Sequence, residues 1–214
     1  MVGNDVVDLR DPDTDPSTLH PGFDTRVFCR SELESLELSR NPVCQRWSLW
    51  AAKEAAYKLV RKLRPQVVFS PSRFVVELAS DAGGESEITT GSVTHEGVPY
   101  PVRVERREGA IHAITRPLVA SASRVVHGLR RLEPHELEAR DPEAAGTAAR
   151  WLCRTSLAWP LLARVADLEV RRRGRIPELW LRGARAAADL SLSHHGSLVA
   201  FACALAPTVP QLAE

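Results

Sequence analysis

The stretch Trp50-Ala51-Ala52-Lys53-Glu54-Ala55-Ala56-Tyr57-Lys58 decides how this chain is read. It lies within a segment, Cys44 to Leu63, whose positions Trp47, Trp50, Ala51, Ala55, Leu59 and Leu63 recur at threes and fours. That spacing predicts one long helix, ending before Pro65. Glu54 and Lys58, four apart, share one face of it, and Lys53 and Tyr57 share the neighbouring face. A carboxylate flanked by two lysines suits a magnesium–phosphate site: the acid holds a hard cation through oxygen, and the ammonium groups neutralise phosphate. The same pattern also describes a solvated Glu–Lys pair worth about 0.2–0.5 kcal/mol, so the rest of the chain must decide.

On the N-terminal side, Val2-Gly3-Asn4-Asp5-Val6-Val7-Asp8-Leu9 reads as a short strand with an Asp- and Pro-rich turn after it. Ser31 to Leu38 reads as a helix with Ser31 as N-cap and Glu34 closing a capping box. On the C-terminal side, strands are expected at Arg73–Ala79, Pro101–Glu105 and Ile111–Thr115, the last two joined through Arg107-Glu108-Gly109-Ala110.

The second half echoes this order. Arg124–Leu132 resembles the opening strand and Thr147–Val165 the long helix, with Arg150-Trp151 answering Arg46-Trp47. Strands follow at Glu178–Leu181 and Leu198–Leu205, and Arg173-Gly174-Arg175-Ile176-Pro177 resembles His95-Glu96-Gly97-Val98-Pro99. The expected fold is α+β: a pseudodimer of two like halves, 1–120 and 121–214, each a long helix on a small antiparallel sheet. Aligned on the two arginines, Glu54 faces Ala158 and Lys58 faces Leu162, so only the first copy keeps charges on that helix face.

Composition sets outer limits. The chain has 214 residues, 44% hydrophobic and 26% charged, with net charge +1, which excludes disorder, collagen-like repeats and small disulfide scaffolds. No apolar run approaches the ~18 residues of a membrane helix, and MVGNDVVDLRDPD is too acidic for a secretory signal, so a cytoplasmic location without membrane contact is expected. Cys29, Cys44, Cys153 and Cys203 show no CxxC spacing and read as buried small hydrophobes. All three lysines, Lys53, Lys58 and Lys62, fall in one ten-residue stretch of a chain whose other cations are arginine, which points to a local need for a compact charge.

Two further segments bear on chemistry. Asp5 follows Gly3-Asn4, and a carboxylate beside a residue that admits close backbone approach can complete a magnesium site with Glu54. Asp189-Leu190-Ser191-Leu192-Ser193-His194-His195-Gly196-Ser197 reads as a polar loop before a buried strand, with His and Ser placed to donate to phosphate. The adjacent histidines are not a zinc signature, because neighbours on an extended chain point apart.

Together VGNDVVDL, WAAKEAAYK and SLSHHGSLVAFA resemble the signature motifs of the 4′-phosphopantetheinyl transferases: a G-x-D strand, a W-x-x-K-E-x-x-x-K helix and an S-H-S/D loop. Gly174-Arg175-Ile176-Pro177-Glu178-Leu179 is similar to the family's G-K/R-P-x-L, and Phe69-Ser70-Pro71-Ser72-Arg73-Phe74 also fits. The motif order is permuted relative to the longer, surfactin-synthetase-activating type, and the position two after Asp5 is Val7 rather than a carboxylate. The resemblance implies Mg²⁺-dependent transfer of the phosphopantetheine arm of coenzyme A to a serine of an acyl or peptidyl carrier protein, with adenosine 3′,5′-bisphosphate released. It assigns the metal to Asp5 and Glu54, catalysis to Asp5, Glu54 and Lys58, and coenzyme A binding to Lys53, Lys58, Arg150, Arg175, Ser193 and His194. A monomeric pseudodimer is implied. Two rival readings are a non-catalytic paralogue that binds coenzyme A or a carrier protein, and a nucleic-acid binder using Arg130-Arg131 and Arg171-Arg172-Arg173. The second lacks interleaved aromatics and a basic pI, so no nucleic-acid partner is expected.

Overall fold

In a computed structural model, residues 1–79, 87–118, 123–137 and 143–206 are described. The chain runs through β1 (Gly3–Asp8), the short helices α1 (Phe23–Val27) and α2 (Arg30–Glu37), and the long α3 (Pro42–Leu63). It continues through β2 (Phe74–Leu78), β3 (Ile88–His95), β4 (Val98–Arg107) and β5 (Ala110–Thr115). After β6 (Arg124–Arg131), α4 (Pro134–Leu137) and α5 (Ala144–Ala158) come β7 (Leu168–Arg173), β8 (Ile176–Leu181), β9 (Ala184–Arg185), β10 (Ala188–His195) and β11 (Leu198–Leu205). The fold is α+β with three antiparallel sheets: β1-β5-β4-β3-β2, β10-β11-β6 and β7-β8-β9.

The helix α3 starts two residues earlier than its periodicity suggests, because Asn41 caps it by accepting from the Cys44 amide (3.0 Å) and Pro42 needs no amide partner at the first position. The small residues Ala51, Ala52, Ala55 and Ala56 are fully buried, which brings the helix backbone close to the sheet. Gly3 of β1 is the tightest point: a Cβ there would lie 2.1 Å from the Ala55 carbonyl oxygen. Trp47 closes one end by donating its indole N–H to the Thr14 carbonyl (3.0 Å), and Phe23, Trp50, Phe69, Tyr57 and Phe74 form a chain of ring contacts over the flank.

Several sequence expectations need correction. The capping box of α2 is built by Glu32 on the Cys29 amide (2.8 Å), not by Ser31 and Glu34. Strand β3 was not anticipated; the Glu96-Gly97 segment is the two-residue turn joining it to β4, with φ of 50° and 76°. Strands β7 and β10 were not anticipated either, and α5 stops at Ala158 rather than continuing to Val165. The second part of the chain holds two small sheets rather than one. Even so, the order β6-β11-β10 followed by β8-β7 follows β1-β5-β4-β3-β2, with a break between β10 and β8, which is compatible with a duplicated unit. By that order the counterpart of the Glu96-Gly97 turn is Arg182-Gly183 (φ 49° and 80°), not the segment around Gly174. The expected division at 120/121 lies outside the described residues. Cys153 and Cys203 are buried with thiols pushed up by desolvation, whereas Cys29 and Cys44 are only partly buried; all four are free.

The first and second sheets meet along β1. This strand pairs with β5 on one edge, and its other edge faces β10. Val2 N donates to Asp189 Oδ2 (2.7 Å), Asn4 N to Ser191 Oγ (3.1 Å) and Asp8 N to His195 Nδ1 (3.2 Å). The Asn4 side chain donates to Ser193 Oγ (3.0 Å). Side chains of one strand thus take the place of a backbone ladder on the edge of another.

Gly3→Ala should force α3 away from β1 and cost about 1–3 kcal/mol or more. Urea unfolding reads this directly, and an unchanged midpoint would contradict the close approach.

Candidate active site

Strand alternation sends Gly3, Asp5 and Val7 toward α3, and Asn4, Val6 and Asp8 toward the second sheet. Asp5, 8% exposed, meets α3 at Lys58, whose Nζ donates to its Oδ1 at 2.6 Å. Glu54, one turn before Lys58, is pushed up to about 7, first by burial and then by repulsion from Asp5, with Lys58 opposing. His194 is lowered by burial and by Lys58, with Asp5 opposing. These mutual influences place Asp5, Glu54, Lys58 and His194 in one electrostatic cluster.

Beside them runs a basic cleft. One cavity of about 280 Å³ is lined by Gly146, Arg172, Gly174, Arg175 and His194 among others. A second, of about 200 Å³, is lined by Lys58, Arg61, Lys62 and Arg175, and both share Arg175, Pro177 and Leu192. Arg175 therefore lies where the two cavities meet. Arg150 lies next to the first cavity: Gly146 separates it from Arg172, and it donates to Thr147 Oγ1 (3.0 Å) while pairing with Glu143 (3.6 Å).

Two assigned residues are turned to other work. Lys53 is fully buried, and its Nζ donates to Glu32 Oε1 and Oε2 (2.7 and 2.8 Å) and to the Pro71 and Phe74 carbonyls (3.1 and 2.6 Å). An ammonium group with four protein acceptors in the core is a structural pin joining α3, α2 and β2, not a coenzyme A ligand. Ser193 is buried against β1 with its hydroxyl on the Asn4 amide, not facing the cleft. The segment is a strand rather than a loop, so Ser191, Ser193 and His195 point to the joint while Leu192 and His194 point to the cleft.

The sequence reading gives no site role to Asn4, Arg61, Lys62 or Arg172. Lys62 clamps the joint, donating to the Val2 carbonyl (2.7 Å), the Leu190 carbonyl (2.7 Å) and Asp189 (2.8 Å). The clustering of all three lysines was the available signal, although each has a different partner. The arginine runs are paired with acids: Arg130 with Glu136, Arg171 with Glu169, Arg172 with Glu143 and Arg173 with Glu178. Among the described residues no helix is long and apolar enough to cross a membrane.

A family model for the 4′-phosphopantetheinyl transferase superfamily matches residues 1–114, from β1 through nearly all of β5. The chain belongs to this superfamily. Phosphopantetheinyl transfer is the chemistry that membership supports, and the match covers Asp5, Glu54 and Lys58 while leaving Arg175 and His194 outside it. No curated protein matched the chain.

The transferase's donor set fits a magnesium ion. Asp5 and Glu54 are hard oxygen donors; burial and then repulsion from Asp5 raise Glu54, and a divalent cation would relieve that repulsion. Val7, at the position of a third carboxylate, is buried and apolar, so the protein offers two acidic ligands there.

Two predictions follow from this geometry. Lys53→Met strands the Glu32 carboxylate in the core and should cost about 3–5 kcal/mol in chemical denaturation; a loss under 1 kcal/mol would contradict the pin. The raised Glu54 carboxyl destabilises the fold as pH rises from its ordinary value of 4.5 through about 7, because the unfolded chain sheds that proton first. Glu54→Gln should therefore be more stable than the parent by about 2–3 kcal/mol at pH 8 without divalent ions, a gain that fades below pH ~5. Urea melts at the two pH values check this.

Proposed function

We propose that the chain transfers the 4′-phosphopantetheine arm of coenzyme A to a serine hydroxyl of an acyl or peptidyl carrier protein, releasing adenosine 3′,5′-bisphosphate. The single observation that carries this reading is the apposition of Asp5, Glu54, Lys58 and His194 at the edge of a basic cleft. Transfer of a phosphoryl-type group asks a protein for positioning and charge stabilisation more than for covalent steps. Arg175 and Arg172 would bind the nucleotide's phosphates, arginine being suited to two-pronged contact with phosphate oxygens. His194, held neutral, donates one N–H to a phosphate oxygen. Lys58 Nζ stabilises the phosphate under attack.

Glu54 accepts the proton from the serine Oγ as that oxygen bonds to phosphorus. The bond to the bridging pyrophosphate oxygen breaks, and adenosine 3′,5′-bisphosphate leaves with the electron pair. Asp5 and Glu54 would hold Mg²⁺, which supplies neutralisation of the pyrophosphate charge when bound. The chain carries the Asp–Glu pair and the histidine strand together, so one copy suffices and a cytoplasmic monomer is expected. Exposed arginines along β7 favour docking of acidic carrier proteins.

Incubation with coenzyme A, Mg²⁺ and an apo carrier protein should add the mass of one phosphopantetheine to the carrier. Glu54→Gln should lower the rate at least about 100-fold, the range of a lost acid–base group and ligand. Tight coenzyme A binding without a mass gain would identify a non-catalytic paralogue, and normal turnover by a folded Glu54→Gln would overturn the site assignment.

A further inference from the structure

A second cluster of metal-ligating side chains lies on the opposite face of β1's sheet from Glu54. Glu105 of β4 and His112 of β5 are direct cross-strand partners, so their side chains share a face. That face is the one Asn4 and Val6 present to the second sheet, and there His127 of β6 meets them. One ligand atom from each of Glu105, His112 and His127 lies within 4.8 Å of the other two. His127 Nε2 is 3.7 Å from Glu105 Oε1, and the two imidazole rings are 5.8 Å apart between centroids.

His112 supplies an independent pointer to a ligand. It is 1% exposed, its Nε2 is 3.1 Å from the Asn4 amide, and its Nδ1 has no protein partner. A buried ring nitrogen without a partner costs about 1–3 kcal/mol in lost hydration, so a fold keeps one where something else engages it. The ring is also held neutral by burial and by His127, the protonation state in which imidazole binds metals.

We propose that Glu105, His112 and His127 form a site for a zinc-class divalent ion, joining the first sheet to the second. Two imidazoles and one carboxylate suit zinc, cobalt or nickel rather than magnesium, which prefers oxygen alone. Zinc at about 2.0–2.2 Å from each donor needs the donors roughly 3.4 Å apart. Glu105 and His127 can close that difference, because their side chains are 27% and 30% exposed while His112 stays fixed. Their exposure also admits water as a fourth ligand. Ligation through His112 Nδ1 places the ring proton on Nε2, and a half-turn of the Asn4 amide offers Oδ1 to receive it, the outer support that metal-bound histidines usually have. Arg103 donates to the same Glu105 Oε1 at 2.7 Å, and being 46% exposed it can turn to solvent and release that oxygen to the metal.

The test is a Co²⁺ titration of the untagged, EDTA-stripped full chain, followed by its visible absorption and by displacement with Zn²⁺. One Co²⁺ per chain with a tetrahedral spectrum is expected, for the parent and equally for Glu54→Gln. His127→Ala and Glu105→Gln should each weaken binding at least tenfold, and Zn²⁺ should raise the melting temperature of the parent but not of His127→Ala. Both positions are partly exposed, and the two variants check each other should one fold poorly. Absence of a Co²⁺ spectrum, undiminished binding in both variants, or binding lost in Glu54→Gln but kept in His127→Ala would overturn the proposal.

Discussion

The structure depends on how the outer edge of β1 is satisfied. An edge strand exposes a row of backbone donors that another strand normally takes up. Here the donors of Val2, Asn4 and Asp8 are met by Asp189, Ser191 and His195, at a constant offset of 187 positions. A constant offset means that β1 and β10 run in the same direction, joined through side chains two apart on β10. Polar contacts set the register of this joint, while Val6 and Leu198 and, further along, Val2 and Ala202 supply its apolar parts. Charge closes both ends. Lys62 reaches Asp189 at one, and at the other Asp8 accepts from Arg131 (2.7 Å) and from the Ser197 hydroxyl (2.6 Å). Burial opposes ionisation of Asp8, yet the hydrogen bonds from Arg131, Ser197 and the Arg10 amide hold its carboxyl down at about 2. That difference contributes about 2 kcal/mol at neutral pH; it is complete above the ordinary carboxylate value and is lost as pH falls through about 2.

The same register builds the site. Because successive residues on a strand point to opposite faces, seating Asn4 on Ser193 obliges Asp5 to face α3 and His194 to face the cleft. A slip of one residue in β1 would carry Asp5 into the joint and Asn4 toward Lys58, removing glue and chemistry together. Asn4 fixes this arrangement, because it contacts Ser191 and Ser193 of β10 as well as His112 of β5. Gly3 completes the constraint from the other side, since only its missing side chain lets α3 lie near enough for Lys58 to reach Asp5.

What could be read from the sequence follows the range of the interactions involved. The helix α3, the strands β1, β5 and β11 and the Glu108-Gly109 turn are specified by local periodicity and backbone preference, and all were legible. Asp5, Glu54, Lys58, Arg175 and His194 stand out in the sequence because four separate motifs name them, and the structure gathers them around the cleft. Strand β10 was not, because Ser191, Ser193 and His195 are residues that usually mark turns; their period-two alternation with Leu190 and Leu192 makes sense only with the edge of β1 alongside. Strand β7 hid its Leu168 and Val170 behind exposed arginines. Lys53 was misassigned for the same reason: its partner Glu32 is 21 positions away on another helix, and nothing near either residue announces the pairing.

The carboxylates of the site run against the rest of the fold. Elsewhere among the described residues buried charges are matched, as Lys53 is by Glu32, Lys62 by Asp189 and Asp8 by Arg131. At Asp5 and Glu54 two acids share one lysine, and burial first, with repulsion from Asp5 second, pushes the Glu54 carboxyl up to about 7. Replacing either acid by its amide would relieve the repulsion at no cost in shape. The surrounding joint holds the two acids together, and carboxylates set beside Lys58 and the arginine-lined cleft suit the phosphopantetheinyl transfer that the superfamily supports.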